Sequence, residues 1–225
     1  MKNQYFGDIG DYGKYGMLHF LAQHKVSVAV NWYLTEDDGS NDGRHIDYLD
    51  KDDFWKYDPE VYRHLKEYVV IKKQRDVSLF ETSGLIPDSA FYSRVLEAPQ
   101  KYTKQDRERI RDEWHKKGLE TCAGKALVFL DPDNGYRKDF PKAVKDQSKY
   151  CYEKEVRDYY DSGADVVFYT SRGRRNNDKW AEAKQQMIEA APGAALRMLT
   201  FHKGTQRSFV YVIHPGHEEK YDRLL

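Results

Sequence analysis

Three observations predict an α/β fold on a mostly parallel, doubly wound sheet. The run Leu127-Val128-Phe129-Leu130 passes directly into the polar turn Asp131-Pro132-Asp133-Asn134-Gly135. Four apolar residues bounded by turn residues read as a buried strand, too short for a helix. In the second half, strand-like runs then alternate with helical stretches, the pattern that lays strands side by side in parallel. Only residues 202–207 separate the last two such runs, too few for a crossover helix, so these two must form an antiparallel hairpin.

In chain order, Gly and Asp punctuate residues 6–16, and a helix is expected from about Gly13 to His24 with Met17, Leu18, Phe20 and Leu21 as its apolar face. Val26 to Leu34 reads as a strand that empties into the polar loop Thr35–His45. Helical signals return at Pro59–Glu67, Tyr68–Ile71 reads as a short strand, and Pro87-Asp88-Ser89 as the opening of a helix. Lys104–Lys117 is helical by propensity and so heavily charged that a solvated surface helix is expected. The strand Ala126–Leu130 follows. After it come a helix around Glu153–Tyr160, the strand Asp165–Thr170, the helix Asp178–Ala190 and the strands Ala195–Phe201 and Ser208–His214. A parallel sheet closed by an antiparallel hairpin, with helices on both faces, is a Rossmann-like, methyltransferase-type sheet. The whole of 1–225 reads as one α/β domain, with loop and helical insertions roughly within 44–120.

Composition narrows the function. Apolar residues make up 40% of the chain and aromatics 14%, enough for a sizeable core. Lys and Arg number 37 against 37 Asp and Glu, so no global basic field draws the molecule to nucleic acid and any such site must be a local patch. Cys122 and Cys151 are the only cysteines, too few for a disulfide framework or a zinc cluster, and are expected as free thiols. With no apolar leader and no run of membrane length, a cytoplasmic protein without a membrane partner is expected.

The candidate chemistry lies in four places. Asp131 and Asp133 stand at a strand's carboxyl end, where open α/β sheets bind ligands, with Asn134 and Tyr136 beside them. Asp11 and Lys14 share a helical face at three-residue spacing, where Lys14 can hold a phosphate or carboxylate and Asp11 can orient it. The loop Glu36-Asp37-Asp38-Gly39-Ser40-Asn41-Asp42-Gly43 combines glycines that permit close backbone approach with acids that favour a cation. If it converges with the strand end, Asp37, Asp38, Asp131 and Asp133 could hold Mg2+. Arg172, Arg174 and Arg175 fall between a strand and a helix as an anion cradle, which Lys203 on the hairpin is expected to extend. Nothing resembles a zinc motif or a nucleophile elbow.

In order and spacing, most of the chain resembles the bacterial large-subunit ribosomal RNA adenine-N6 methyltransferases of the J type. The likeness is distant. It rests on Gly7, Asp11 and Lys14 in the opening, on Asp131-Pro132-Asp133-Asn134 where that family has Asp-Pro-Pro-Tyr, on Gly163 with Val166–Tyr169, and on Ile213-His214-Pro215 at the last strand. The chain is also similar to an uncharacterised set of bacterial proteins sharing its opening and its Asp-Pro-Asp-Asn-Gly turn. The resemblance implies an S-adenosylmethionine-dependent enzyme. Asp131 would bind the target amino group, and Asn134 or Tyr136 would shape its pocket. Asp11, Lys14, Glu36, Asp38, Gly39 and Gly43 would hold the cofactor. Two other expectations stand beside it: a metal-dependent hydrolase of nucleic acid, either nuclease or base-excising glycosylase, and a non-catalytic nucleic-acid-binding module. In each the partner is a nucleic acid or nucleotide.

Overall fold

Period-two alternation along the strands sets the architecture. A computed structural model describes residues 1–51, 53–97, 102–139, 144–173, 175–202 and 206–224. Its elements begin with helix α1 (Ile9–Gln23), strand β1 (Val28–Asn31) and helices α2 (Pro59–Leu65) and α3 (Ser78–Glu81). Next are β2 (Ala90–Tyr92), α4 (Lys104–Cys122), β3 (Leu127–Leu130), β4 (Gly135–Arg137) and β5 (Tyr150–Tyr152). The chain continues with α5 (Glu153–Asp161), β6 (Asp165–Ser171), α6 (Asn177–Glu189), β7 (Ala195–Phe201), β8 (Arg207–Ile213) and α7 (Glu218–Asp222).

Six strands form one sheet in the order β2-β1-β3-β6-β8-β7, and β4 and β5 pair separately. Neighbours from β2 to β6 are parallel, whereas β8 runs antiparallel to both β6 and β7. The sheet is therefore α/β, Rossmann-like and mostly parallel, with its one antiparallel strand lodged inside the terminal hairpin. Val28, Val30, Leu127, Phe129, Val167, Phe209 and Tyr211 point into a core shared with α1 and α2. Ala29, Val128, Leu130, Val166, Phe168, Val210 and Val212 point the other way, into a core shared with α4, α5 and α6. From β1 the chain passes outward to β2 and returns across β1 to β3, so the sheet's switch point lies at the carboxyl ends of β1 and β3. Among the described residues no helix is long and apolar enough to cross a membrane. Cys122 and Cys151 are free and buried, and burial pushes both thiols up.

Several elements depart from expectation. Helix α1 starts at Ile9 rather than Gly13, because Asp8 caps it by accepting the Gly10 amide at 2.9 Å. Phe20, expected on its apolar face, is 40% exposed. The first strand is only Val28–Asn31, and beyond it Tyr33 takes the left-handed backbone (φ 46). Tyr68–Ile71 is no strand. It belongs to a π-helical continuation of α2 over Lys66–Ile71, in which Ile71 points out. Pro87-Asp88-Ser89 opens no helix, because Asp88 sits at φ 52 and turns the chain into β2. Helix α4 is not simply solvated. Arg111, Trp114, His115, Gly118 and Cys122 are buried along one face, a face too polar to register as apolar.

That polar face is held by one ion pair. Arg111 Nε and Nη2 donate to Glu155 Oε1 and Oε2 at 2.6 and 2.9 Å, and its other donors reach the Gln147 and Tyr150 carbonyls. Glu155 also accepts from the Tyr33 hydroxyl and the Tyr152 amide, each at 3.0 Å. Removing one partner leaves a buried, uncompensated charge, which typically costs about 3–5 kcal/mol. Arg111→Met should therefore lower the urea unfolding free energy by about that amount. The double variant Arg111→Met/Glu155→Leu should recover much of the loss; equal stability of the single variant and wild type would mean that the pair does not organise this face.

Candidate active site

The carboxyl ends of β3 and β6 open into a cavity of about 610 Å³. Its floor is Asp131, the first residue past β3, whose amide still continues the ladder by donating to the Asn31 carbonyl at 2.9 Å. Asp131 is buried, and its Oδ2 accepts from Lys14 Nζ at 2.6 Å. The same ammonium lies 2.8 Å from Asp11 Oδ1, one helical turn back on α1. Three buried charges thus form a line, carboxylate–ammonium–carboxylate, from α1 to the strand end. Burial alone would lower the Lys14 ammonium, but Asp11 and Asp131 outweigh it and hold it above its ordinary range. For Asp11, burial dominates. Against the pull of Lys14, and aided by Asp131, it pushes the carboxyl up to about 6.

Cations and rings form the cavity's other walls. Arg207, at the start of β8, pairs with Asp8 at 3.1 Å, and its guanidinium lies flat against Gly10, where an added Cβ would fall 2.3 Å from it. Arg175, Lys149, Tyr150, Tyr169 and Phe209 complete the opening. Arg175 is held by the Ser171 carbonyl at 2.8 Å. Burial raises the Tyr169 hydroxyl, keeping that ring neutral.

The acidic loop meets the strand end through the chain's first residues. The Met1 amino group donates to the Tyr33 and Asp131 carbonyls at 3.2 and 3.1 Å and lies 3.2 Å from Asp133 Oδ1. Lys2, itself buried, reaches Asp38 at 2.6 Å and Asp133 at 3.8 Å. Asp37 accepts the Gln4 amide at 3.0 Å, and a Cβ added at Gly43 would fall 2.7 Å from the Gln4 carbonyl oxygen and 2.9 Å from Tyr5 Cα. Asp37 and Asp38 are therefore held by residues 2–4, whereas Asp42 lines the cavity.

The structure brings together Asp11, Lys14, Asp131 and Asp133, with Asn134 exposed at the rim. Arg175 joins them, but Arg172 turns to the Arg175 carbonyl and Asn177, and Arg174 and Lys203 lie outside the described residues. Tyr136 lies elsewhere, buried in the core against Phe168 at 5.3 Å with its hydroxyl on Glu153 at 3.2 Å. Glu36 is exposed, and Gly39 has nothing within 4 Å of an added Cβ, so neither lines a cradle. Asp38 is held by Lys2, whereas Gly43 lines the cavity with Asp11 and Lys14. Among the described residues no three His, Cys, Asp or Glu side chains converge as a metal ion requires, and Asp37 and Asp38 do not reach Asp131. Lys2, Lys149, Tyr150, Tyr169 and Phe209 carry no local sequence pattern that marks them as site residues; Arg207 carries only its charge, on the hairpin segment that also holds Lys203. In comparison with known proteins, no family model matches the chain and no curated protein matches it in sequence.

Asp11 gives the site a pH signature. A carboxyl raised in the folded state binds its proton more tightly there than in the unfolded chain, so stability rises as pH falls through the window from about 6 to about 4. The shift corresponds to about 3 kcal/mol at most. Between pH 7 and pH 4, wild type should thus gain up to about that much stability relative to Asp11→Asn in urea unfolding. Parallel curves for the two proteins would show that Asp11 is not held in this way.

Proposed function

We propose that the chain is a hydrolase that cleaves a phosphate ester of a nucleotide or nucleic acid in the Asp131 cavity. One observation carries the reading: a buried carboxylate–ammonium–carboxylate line at the sheet's switch point faces a wall of Arg175, Arg207 and Lys149. Arg and Lys bind phosphate oxygens through charge-assisted hydrogen bonds, and a water-poor site strengthens them. Lys14, permanently charged, opposes the negative charge that grows on the phosphoryl oxygens. Asp11 is the carboxylate whose proton is labile near neutrality, so it takes the proton of the attacking water as the new P–O bond forms and the ester P–O bond breaks, and the departing oxygen takes a proton from solvent at the cavity mouth. Asp131 fixes the Lys14 ammonium and through it the orientation of Asp11.

Because Asp131 is buried and ion-paired, its replacement affects the fold as well as the chemistry. Asp131→Ala should cost about 3–5 kcal/mol, because it breaks a buried ion pair with Lys14. Turnover of nucleoside phosphates and short oligonucleotides should therefore be followed under conditions where circular dichroism shows the variant folded. Asp131→Asn should then lose about 100-fold or more in kcat/KM, and the wild-type rate should rise with pH through about 6. Arg175→Ala should raise KM at nearly unchanged stability. Wild-type activity in folded Asp131→Asn, or no binding of any nucleoside phosphate or oligonucleotide, would overturn the proposal.

Strand order favours a second reading. The antiparallel β8 between β6 and β7 is the methyltransferase-type arrangement. Saturable heat on titration with S-adenosylmethionine would transfer the assignment to methyl transfer on a nucleic acid.

A further inference from the structure

A second cavity, of about 670 Å³, lies on the other flank of α1, between that helix and α2. Its apolar walls are the rings of Tyr12, Phe20, Phe54, Tyr57 and Phe201 together with Pro59, and no Val, Leu, Ile or Met lines it among the described residues. Phe20 and Tyr57 stand 40% and 72% exposed at its rim, large rings left facing water. Room for the groove comes from α1 itself. Gly13 and Gly16 present no side chain there, and an added Cβ at Gly13 would stand 3.4 Å from the Phe201 ring. Of its charged groups, Asp58 is already satisfied. It accepts the Val61 amide at 3.1 Å as the cap of α2 and lies 2.8 Å from His19 Nδ1. Glu60 and Arg63 stand at the groove as an opposite-sign pair of charges.

The two cavities share one wall. The β7–β8 hairpin lays Phe201 on Gly13 and Arg207 on Gly10, so the residue bordering the groove and the residue bordering the Asp131 cavity sit one helical turn apart on the same glycine face. Such a surface alternates a cationic contact with a bed of rings. Bases present a flat π-face whatever their identity, and aromatic walls with a basic contact between them are how single strands are held without sequence preference. Mononucleotides have nothing to place in the groove.

We infer that the substrate is a single-stranded nucleic acid whose reacting nucleotide occupies the Asp131 cavity, while a neighbouring base stacks in the aromatic groove and Arg207 grips the phosphate between them. The inference rests on the phosphate-ester reading above and adds polymer length to it.

The test compares thymidine monophosphate with an oligothymidylate and an oligouridylate of about eight residues, a length within the usual site size for single strands. Each is titrated by calorimetry into wild type and into Phe20→Ala/Tyr57→Ala. Both replaced rings are solvent-exposed, so the variant should keep its fold, checked by circular dichroism. Wild type should bind at least one oligomer more tightly than the monophosphate, and the variant should weaken that oligomer about tenfold or more while leaving the monophosphate unchanged. The DNA and RNA arms identify which polymer the site takes. If the monophosphate binds but oligomers bind no better, or if the variant binds oligomers as wild type does, the groove is not a base site and the inference falls while the hydrolase reading stands. If neither monophosphate nor oligomers bind wild type, both fall together.

Discussion

Lys14 is the point on which the functional end of this molecule depends. An ammonium with no water around it must have carboxylates, and the two it has come from different layers: Asp11 from its own helix and Asp131 from the central strand. The pairing therefore acts as a ruler between α1 and β3. It fixes how far the helix sits along the sheet, and with it where Asp8 can hold Arg207 and where the hairpin can close. Buried ion pairs contribute little net stability against their desolvation, but they tolerate few alternative geometries. Here the constraint is spent on position.

The rest of the charge pattern follows the same logic. Equal numbers of acids and bases leave no long-range field, so whatever polarity the site has is made locally by uneven placement. Acids lie beneath, on α1 and β3; the arginines and Lys149 lie above, on the loop after β6, the hairpin and the segment before β5. Arg111 holds that last segment by donating to the Gln147 and Tyr150 carbonyls, and Glu155 by accepting the Tyr152 amide. An ion pair on the α4 side thus sets one wall of the cavity without lining it.

What could be read from the sequence follows physical rules. Ala126–Leu130, Asp165–Thr170, Ala195–Phe201 and Ser208–His214 were legible because long or continuous apolar runs have few alternatives. Strand β2 was not: three residues after a turn carry no period, and only pairing with β1 makes them a strand. Helix α4 hid its buried face behind Arg111 and His115, whose partners lie 44 and 43 residues away. At the site, Asp131, Asp11 and Lys14 were visible as chemistry-bearing residues, but the bond from Lys14 to Asp131 spans 117 positions and no local pattern encodes it. Tyr136 was the nearest ring in sequence and proved to be core. Of the cavity's rings, Tyr150, Tyr169 and Phe209 come from three other strands and Tyr5 from the opening 3-10 turn.

The glycine face of α1 has a consequence for how the molecule assembles. Glycine at 10, 13 and 16 in a fifteen-residue helix weakens it by roughly 1 kcal/mol at each position relative to alanine. So short and glycine-laden a segment has little helicity alone, and its helix is stabilised by docking. It docks on α2 and β1 nearby in the chain, and its polar contacts reach Asp131 just past β3 and Arg207 of the hairpin. Residues 9–23 precede nearly all of the sheet in the chain, yet the contacts that fix their polar end come from its later strands. The cavity is therefore incomplete without the last strand, because Arg207 and Phe209 of β8 form part of its wall.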